Sequence, residues 1–120
     1  MWRRFSDELR RLGRTSAYSW QGFRAAWKSE KSVRQWVAAN LISGLLALAL
    51  DLSSAERALI LALGLMVLAA EVMNTAIEAT VDLVTPEHNP LAGKAKDCGS
   101  AAVALSALAA GAAWIVILFT

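Results

Sequence analysis

One cysteine, one histidine and two prolines in 120 residues exclude several familiar kinds of protein. Cys98 has no partner within the chain, so no internal disulfide forms, and cysteine usage permits a reducing compartment without specifying one. No Walker-type loop, Rossmann glycine pattern, HExxH or CxxC occurs, which excludes nucleotide binding through a familiar soluble fold. Both prolines fall in one polar, turn-rich connection, Thr85-Pro86-Glu87-His88-Asn89-Pro90, at positions suited to a helix first turn. What the chain does have is apolar residues. A hydrophobic share of 57% with a positive mean hydropathy suits a small membrane protein of one domain better than a soluble one.

Charge is concentrated at one end. The first 34 residues hold nine of the twelve basic residues and run into a span, unlike a cleavable signal peptide with its short apolar region and small-residue cleavage site. Phe5, Leu9, Leu12, Ser16, Trp20, Phe23 and Trp27 recur at steps of three and four, while Arg3, Arg10, Arg11, Arg14 and Arg24 occupy other faces. This pattern predicts an amphipathic helix on a membrane surface, with Gly13 and Gly22 as the points where it would bend or break. A first span follows from about Trp36 to Leu50, short for a bilayer interior, with Arg34 and Trp36 snorkelling at one end. Ser53 and Glu56 have capping-box spacing and predict a tight turn that starts the second span. The third, from Cys98 to about Phe119, carries no charge, and its Ser100, Ala104, Ala107 and Gly111 offer small-residue ridges for close packing. The 51–57 turn has only Arg57 and the 85–97 connection has Lys94 and Lys96, so the positive-inside rule places the amino terminus inside and the carboxyl terminus outside.

Glu71, Asn74 and Glu78 lie three and four residues apart within the apolar stretch Ala58–Val81. Ionisable groups at that depth are costly and rarely face lipid. Their spacing puts them on one helix face, with Asp82 one turn further along. Glu78, Asp82, Lys96, Asp97 and the basic segment converge at one membrane face, and acids grouped with a lysine are what a metal-bound polyphosphate needs. A buried acid can also act as general base toward a hydroxyl. On spacing alone, phosphoryl transfer stands level with an ion pathway of carboxylate rings in a small oligomeric channel or transporter. A lipid-binding assembly factor needing neither Mg²⁺ nor ATP is a third class. Asn74 can equally hold an oligomer by an interhelical hydrogen bond, and Glu30 and His88 by themselves read as solvated charges of an interfacial run and a loop.

The motifs EVMNTAIEATVD at 71–82 and AGKAKDCGSAAV at 92–103, supported by AYSWQGFRAAWKSE at 17–30, resemble the small integral-membrane diacylglycerol kinases of bacteria and the related undecaprenol kinases. The similarity covers nearly the whole chain. It implies an all-α membrane protein of one domain: an amphipathic surface helix over 1–33, three membrane-spanning helices over about 35–51, 55–83 and 90–119, and a homotrimer in the bacterial inner membrane with a cytoplasmic amino terminus. The implied activity is direct transfer of the γ-phosphoryl of Mg-ATP to a lipid hydroxyl, without a phosphoenzyme or a nucleic-acid partner.

Carried over by position, Glu71 looks like the catalytic base, Glu30 and Glu78 like the Mg²⁺-holding acids, and Asn74, Lys96 and Asp97 complete the polar set. Arg11, Tyr18, Glu87, His88 and Asn89, with Glu30, Glu78, Lys96 and Asp97, match positions for ATP. Arg11, Ser16, Ser19, Trp20, Arg24, Trp27 and Ser100, with Glu71, match the lipid-acceptor side. Trp36 stands where many relatives carry an acid, and His88-Asn89 replaces an aromatic or His followed by His, which bears on adenine contacts because an amide donates and accepts differently from imidazole. YSWQGFRAAW and Gly99-Ser100-Ala101-Ala102-Val103 look closer to the diacylglycerol branch, whereas Leu83-Val84-Thr85-Pro86 is also at home among undecaprenol kinases.

Overall fold

The computed structural model describes residues 1–120 as four helices: α1 (Trp2–Ser29), α2 (Lys31–Ala49), α3 (Ser54–Val84) and α4 (Pro90–Phe119). The central helix is α3, which packs against both α2 and α4, while α1 touches only α2 and α3. A side-chain bridge joins the outer pair, with Trp114 Nε1 donating to Ser43 Oγ at 2.8 Å.

Burial decides the environment. Nine of 120 residues are buried, six of them the apolar Ala26, Val33, Ala47, Ile60, Val67 and Val103. Leucines along α2, α3 and α4 stay exposed, Leu45, Leu65 and Leu108 among them. Both α3 and α4 are long and apolar enough to cross a membrane, yet only 22% and 11% of their most apolar windows are buried, where the core helix of a soluble protein would be mostly covered. The radius of gyration, 18.1 Å, also exceeds the roughly 14 Å of a compact domain of this length. The chain is an all-helical membrane protein. Arg34, Gln35 and Asn40 make α2 less apolar, and at ~1.5 Å per residue its 19 residues extend about 28 Å.

Two expectations are corrected. Helix α1 runs unbroken through Gly13 and Gly22, neither of which has positive φ; a glycine penalty of about 1 kcal/mol leaves a long amphipathic helix intact when nothing competes for its backbone bonds. The break falls at Glu30, earlier than the boundary expected near residue 33. Glu30 is extended (φ −116°, ψ 114°), closes α1 by donating its N–H to the Ala26 carbonyl, and precedes the first turn of α2. Arg34 is exposed, and its Nη1 donates to the Trp27 carbonyl, placing a cation on the carboxyl end of α1.

The α2–α3 turn carries the expected capping box: Glu56 N–H donates to Ser53 Oγ at 3.2 Å and Ser53 N–H to Glu56 Oε2 at 2.8 Å. Arg57 completes it from the other side, donating from Nε to the Ala47 carbonyl at 2.7 Å and from Nη2 to the Leu50 carbonyl at 3.3 Å. It satisfies the Ala47 carbonyl, which the end of α2 leaves open, and adds a second donor to Leu50, whose carbonyl already accepts from Leu52 N–H. Arg57→Ala is expected to lower stability by about 1.5–3 kcal/mol, the range for hydrogen bonds to a charged group, while Arg57→Lys recovers part of the loss. Unfolding in mixed micelles, followed by circular dichroism, measures both.

Two asparagines set how closely the helices approach. A Cβ on Gly64 of α3 would overlap Asn40 Oδ1 of α2, and a Cβ on Gly99 of α4 would overlap Asn74 Oδ1 of α3. In each pair the missing side chain makes room for an amide on the facing helix. The second pair lies in the polar stripe.

Candidate active site

Glu71 is 5% exposed and Asn74 8%, the two buried polar side chains of the chain. Both face inward because α3 turns the 71–74–78 stripe toward its neighbours. Ser32 Oγ, in the first turn of α2, donates to Glu71 Oε1 at 2.5 Å. One turn on, Asn74 Nδ2 donates weakly to Glu78 Oε1 at 3.4 Å, while Asn74 Oδ1 is fully buried with no partner. The amide therefore makes no interhelical hydrogen bond within the chain and meets Gly99 instead.

Further along, Glu78 is half-buried and Asp82 exposed, and Lys96 Nζ of α4 donates to Asp82 Oδ1 at 2.6 Å. The pair ties the end of α3 to the start of α4 across a charge-assisted hydrogen bond. Beside it lies a cavity of about 300 Å³ lined by Asp82, Glu87, His88, Asn89 and Lys96, among others. A second, of about 540 Å³, shares His88 and Asn89 and adds Lys94, Asp97 and Cys98. A groove of about 530 Å³ between α2 and α3 is lined by Val37, Leu41, Leu45, Leu61 and Leu65 with Asn40, and has no titratable group for chemistry.

The structure thus brings Glu71, Asn74 and Glu78 into one stripe, and Glu87, His88, Asn89, Lys96 and Asp97 around the adjoining cavities. Glu30 lies at the α1–α2 joint, two residues before the serine that touches Glu71. Asn89 has a further duty: its Oδ1 accepts from the N–H groups of Leu91 (2.9 Å) and Ala92 (3.3 Å), with Pro90 at the start of α4. Its carbonyl oxygen is spent on the cap.

The amino-terminal part of α1 extends away from the joint. Arg11 and Tyr18 lie about 28 and 18 Å along the helix axis from Glu30 at ~1.5 Å per residue. Arg11 pairs with Glu8 at 2.9 Å, Ser19 Oγ donates to the Thr15 carbonyl, and Trp20 stacks on Phe23 with ring centroids 6.4 Å apart. Ser16, Arg24 and Trp27 are exposed, as is Ser100 on α4. Sequence reasoning missed Ser32, because a serine at a helix start reads as a local cap and its spacing gives no sign of contact 39 residues away. It also missed the pairing of Lys96 with Asp82, although both had been placed at the same membrane face.

A family profile for prokaryotic diacylglycerol kinase matches residues 17–118. The chain belongs to that family. It is similar to the diacylglycerol kinase of Escherichia coli strain K12 (38% identical over 110 residues, covering 92% of this chain and 90% of the relative). It is also similar to the diacylglycerol kinase of Pseudomonas aeruginosa strain PAO1 (43% over 110 residues, 92% and 89%). The undecaprenol kinase of Bacillus subtilis strain 168 is 32% identical over 102 residues, covering 85% of this chain and 83% of the relative. Membership makes this chain an ATP-dependent lipid kinase of the membrane.

Proposed function

We propose that this lipid kinase moves the γ-phosphoryl of Mg-ATP to the hydroxyl of diacylglycerol, giving phosphatidic acid, with Glu71 as general base. The carrying observation is the placement of Glu71: a buried carboxylate on a membrane-length helix, one oxygen held by Ser32, continuous with a stripe that leads through Glu78 to the Asp82–Lys96 pair. Asn74 Oδ1 is the one fully buried side-chain oxygen or nitrogen without a partner, so Glu71 Oε2, which makes no hydrogen bond, still touches the surface. It is the oxygen available to an acceptor hydroxyl.

One protomer groups no three His, Cys, Asp or Glu side chains as a closed metal cage would. Mg²⁺ arriving with a nucleotide needs only one or two carboxylates, because phosphate oxygens and water complete its shell, and Glu30 and Glu78 are the acids that would hold it. Bound there, the ion offsets phosphate charge during transfer. Lys96 turns from Asp82 toward the polyphosphate, and Glu87, His88, Asp97 and the backbone at Asn89 border the nucleotide. Glu71 takes the acceptor proton, and the polar end of the bundle keeps the acceptor hydroxyl beside it.

The working unit of this reading is a homotrimer of three-span protomers, with α2 as the first span, in the bacterial inner membrane and with the basic amino terminus cytoplasmic. A protomer that leaves its leucine faces bare supports association, and the distance along α1 from Arg11 and Tyr18 to the joint supports their reaching a neighbouring protomer's nucleotide. Nine basic residues before position 35 support the orientation. Ser16, Ser19, Trp20, Arg24, Trp27 and Ser100 then border the lipid.

Purified chain in mixed micelles is expected to convert ATP and diacylglycerol to ADP and phosphatidic acid, with loss of turnover on chelating Mg²⁺. Offering diacylglycerol and undecaprenol in competition tests the acceptor. Preference for undecaprenol would reassign the substrate, and turnover that survives chelation would remove the roles given to Glu30 and Glu78.

A further inference from the structure

We infer that Ser32 is a positioning residue for the base: its hydroxyl holds one oxygen of Glu71 so that the other meets the lipid hydroxyl. The inference rests on the lipid-kinase reading above and deepens it.

A serine near a helix start normally spends its hydroxyl on that helix's own open N–H groups. Ser32 does not. The residue preceding α2, Glu30, makes no side-chain cap, and the one proton of Ser32 Oγ goes across to Glu71 Oε1 on α3 at 2.5 Å. The donor is rigidly placed, because the next residue, Val33, is fully buried and locks the first turn of α2 into the bundle. The backbone of Glu71 is also engaged, its carbonyl accepting from Thr75 Oγ1 at 3.0 Å. Between that backbone and its carboxylate lie three rotatable bonds, whose freedom would otherwise spread the base over several positions.

General-base catalysis depends on such placement. Misplacing a reacting group by about 1 Å can lower a rate by about 10²-fold. During transfer the acceptor O–H bond breaks, its proton passes to Glu71 Oε2, the oxygen forms its bond to the γ-phosphorus, and the bond from that phosphorus to the β–γ bridging oxygen breaks as ADP leaves. Ser32 keeps its own proton throughout. It acts through Glu71, so removing it should change kcat rather than substrate affinity.

The test measures kcat and both KM values of the full chain in mixed micelles with Mg-ATP and diacylglycerol. Ser32→Ala is expected to lower kcat about tenfold, with each KM changed by less than about twofold, and Ser32→Thr, which keeps the donor, to recover most of the loss. In a Glu71→Asp background, whose shortened carboxylate no longer reaches Ser32 Oγ, Ser32→Ala should cost less than about twofold. Wild-type kcat in Ser32→Ala would overturn the inference, as would equal losses in the Glu71 and Asp backgrounds or a raised lipid KM with kcat intact. Where Ser32→Ala loses its helical circular dichroism, Ser32→Cys replaces it: a weak donor of similar size should also lower kcat, and wild-type turnover from it overturns the role. Glu71→Gln, measured alongside, separates the two levels. If that variant keeps wild-type turnover, the base assignment fails; if it loses turnover while the serine variants behave as wild type, only the positioning role fails.

Discussion

Glu71→Gln is expected to lower phosphoryl transfer by about 10²-fold or more while Mg-ATP still binds. Glutamine preserves the length of the side chain and its carbonyl oxygen can still accept from Ser32 Oγ, so the local packing between α2 and α3 survives and only the proton acceptor is lost. Glu78→Gln should act differently. Glu78 is half-buried further along the same stripe, and its one hydrogen bond within the chain is the 3.4 Å contact from Asn74, which leaves the carboxylate free for a hard dication. An amide is a poorer partner for that ion, so Mg-nucleotide binding should weaken. Titration of Mg-ATP binding to both variants, together with turnover at saturating lipid, measures the division. Equal loss of nucleotide affinity in the two would leave both acids as metal ligands or structural groups.

The stripe itself was legible because acids inside an apolar run are expensive wherever lipid would surround them, and a spacing of three and four leaves only one helix face for them. The Ser53–Glu56 cap was legible for a related reason: both hydrogen bonds are local and their spacing is fixed by helix geometry. Long-range partners were not. Ser32 and Glu71, Trp114 and Ser43, and Arg57 with the end of α2 are brought together by packing between helices, and nothing in a single helix's period encodes which face of a neighbour it will meet. The joint at Glu30 was misplaced because no proline or glycine marks it, and the basic and aromatic pattern continues through it into Arg34 and Trp36. The cap made by Asn89 went unread from the opposite side: the resemblance directed attention to nucleotide, whereas an asparagine directly before a proline at the start of a helix is also well suited to a cap.

The paired glycines offer a test that separates stability from chemistry, because one steric device occurs both inside and outside the polar stripe. Gly64→Ala and Gly99→Ala each force a Cβ onto the amide oxygen of the facing asparagine, Asn40 and Asn74 respectively. Overpacking of this kind costs about 1–3 kcal/mol, so both variants should unfold at lower denaturant concentration. Truncating the partner should restore the space: Gly64→Ala with Asn40→Ala, and Gly99→Ala with Asn74→Ala, are expected to be more stable than adding the single effects predicts, the sign of direct contact. Activity should divide the pairs. Asn40 donates to the Trp36 carbonyl and touches no acid, so the Gly64 variants should keep near-normal turnover while folded. Asn74 donates to Glu78, so displacing it by Gly99→Ala disturbs the acid assigned to Mg²⁺ and should lower turnover, and the compensating Asn74→Ala should recover stability without recovering rate. Additive stability losses in both cycles would remove the asparagine–glycine contacts as the determinants of helix approach, and full activity in the Gly99→Ala, Asn74→Ala double variant would confine Asn74 to packing.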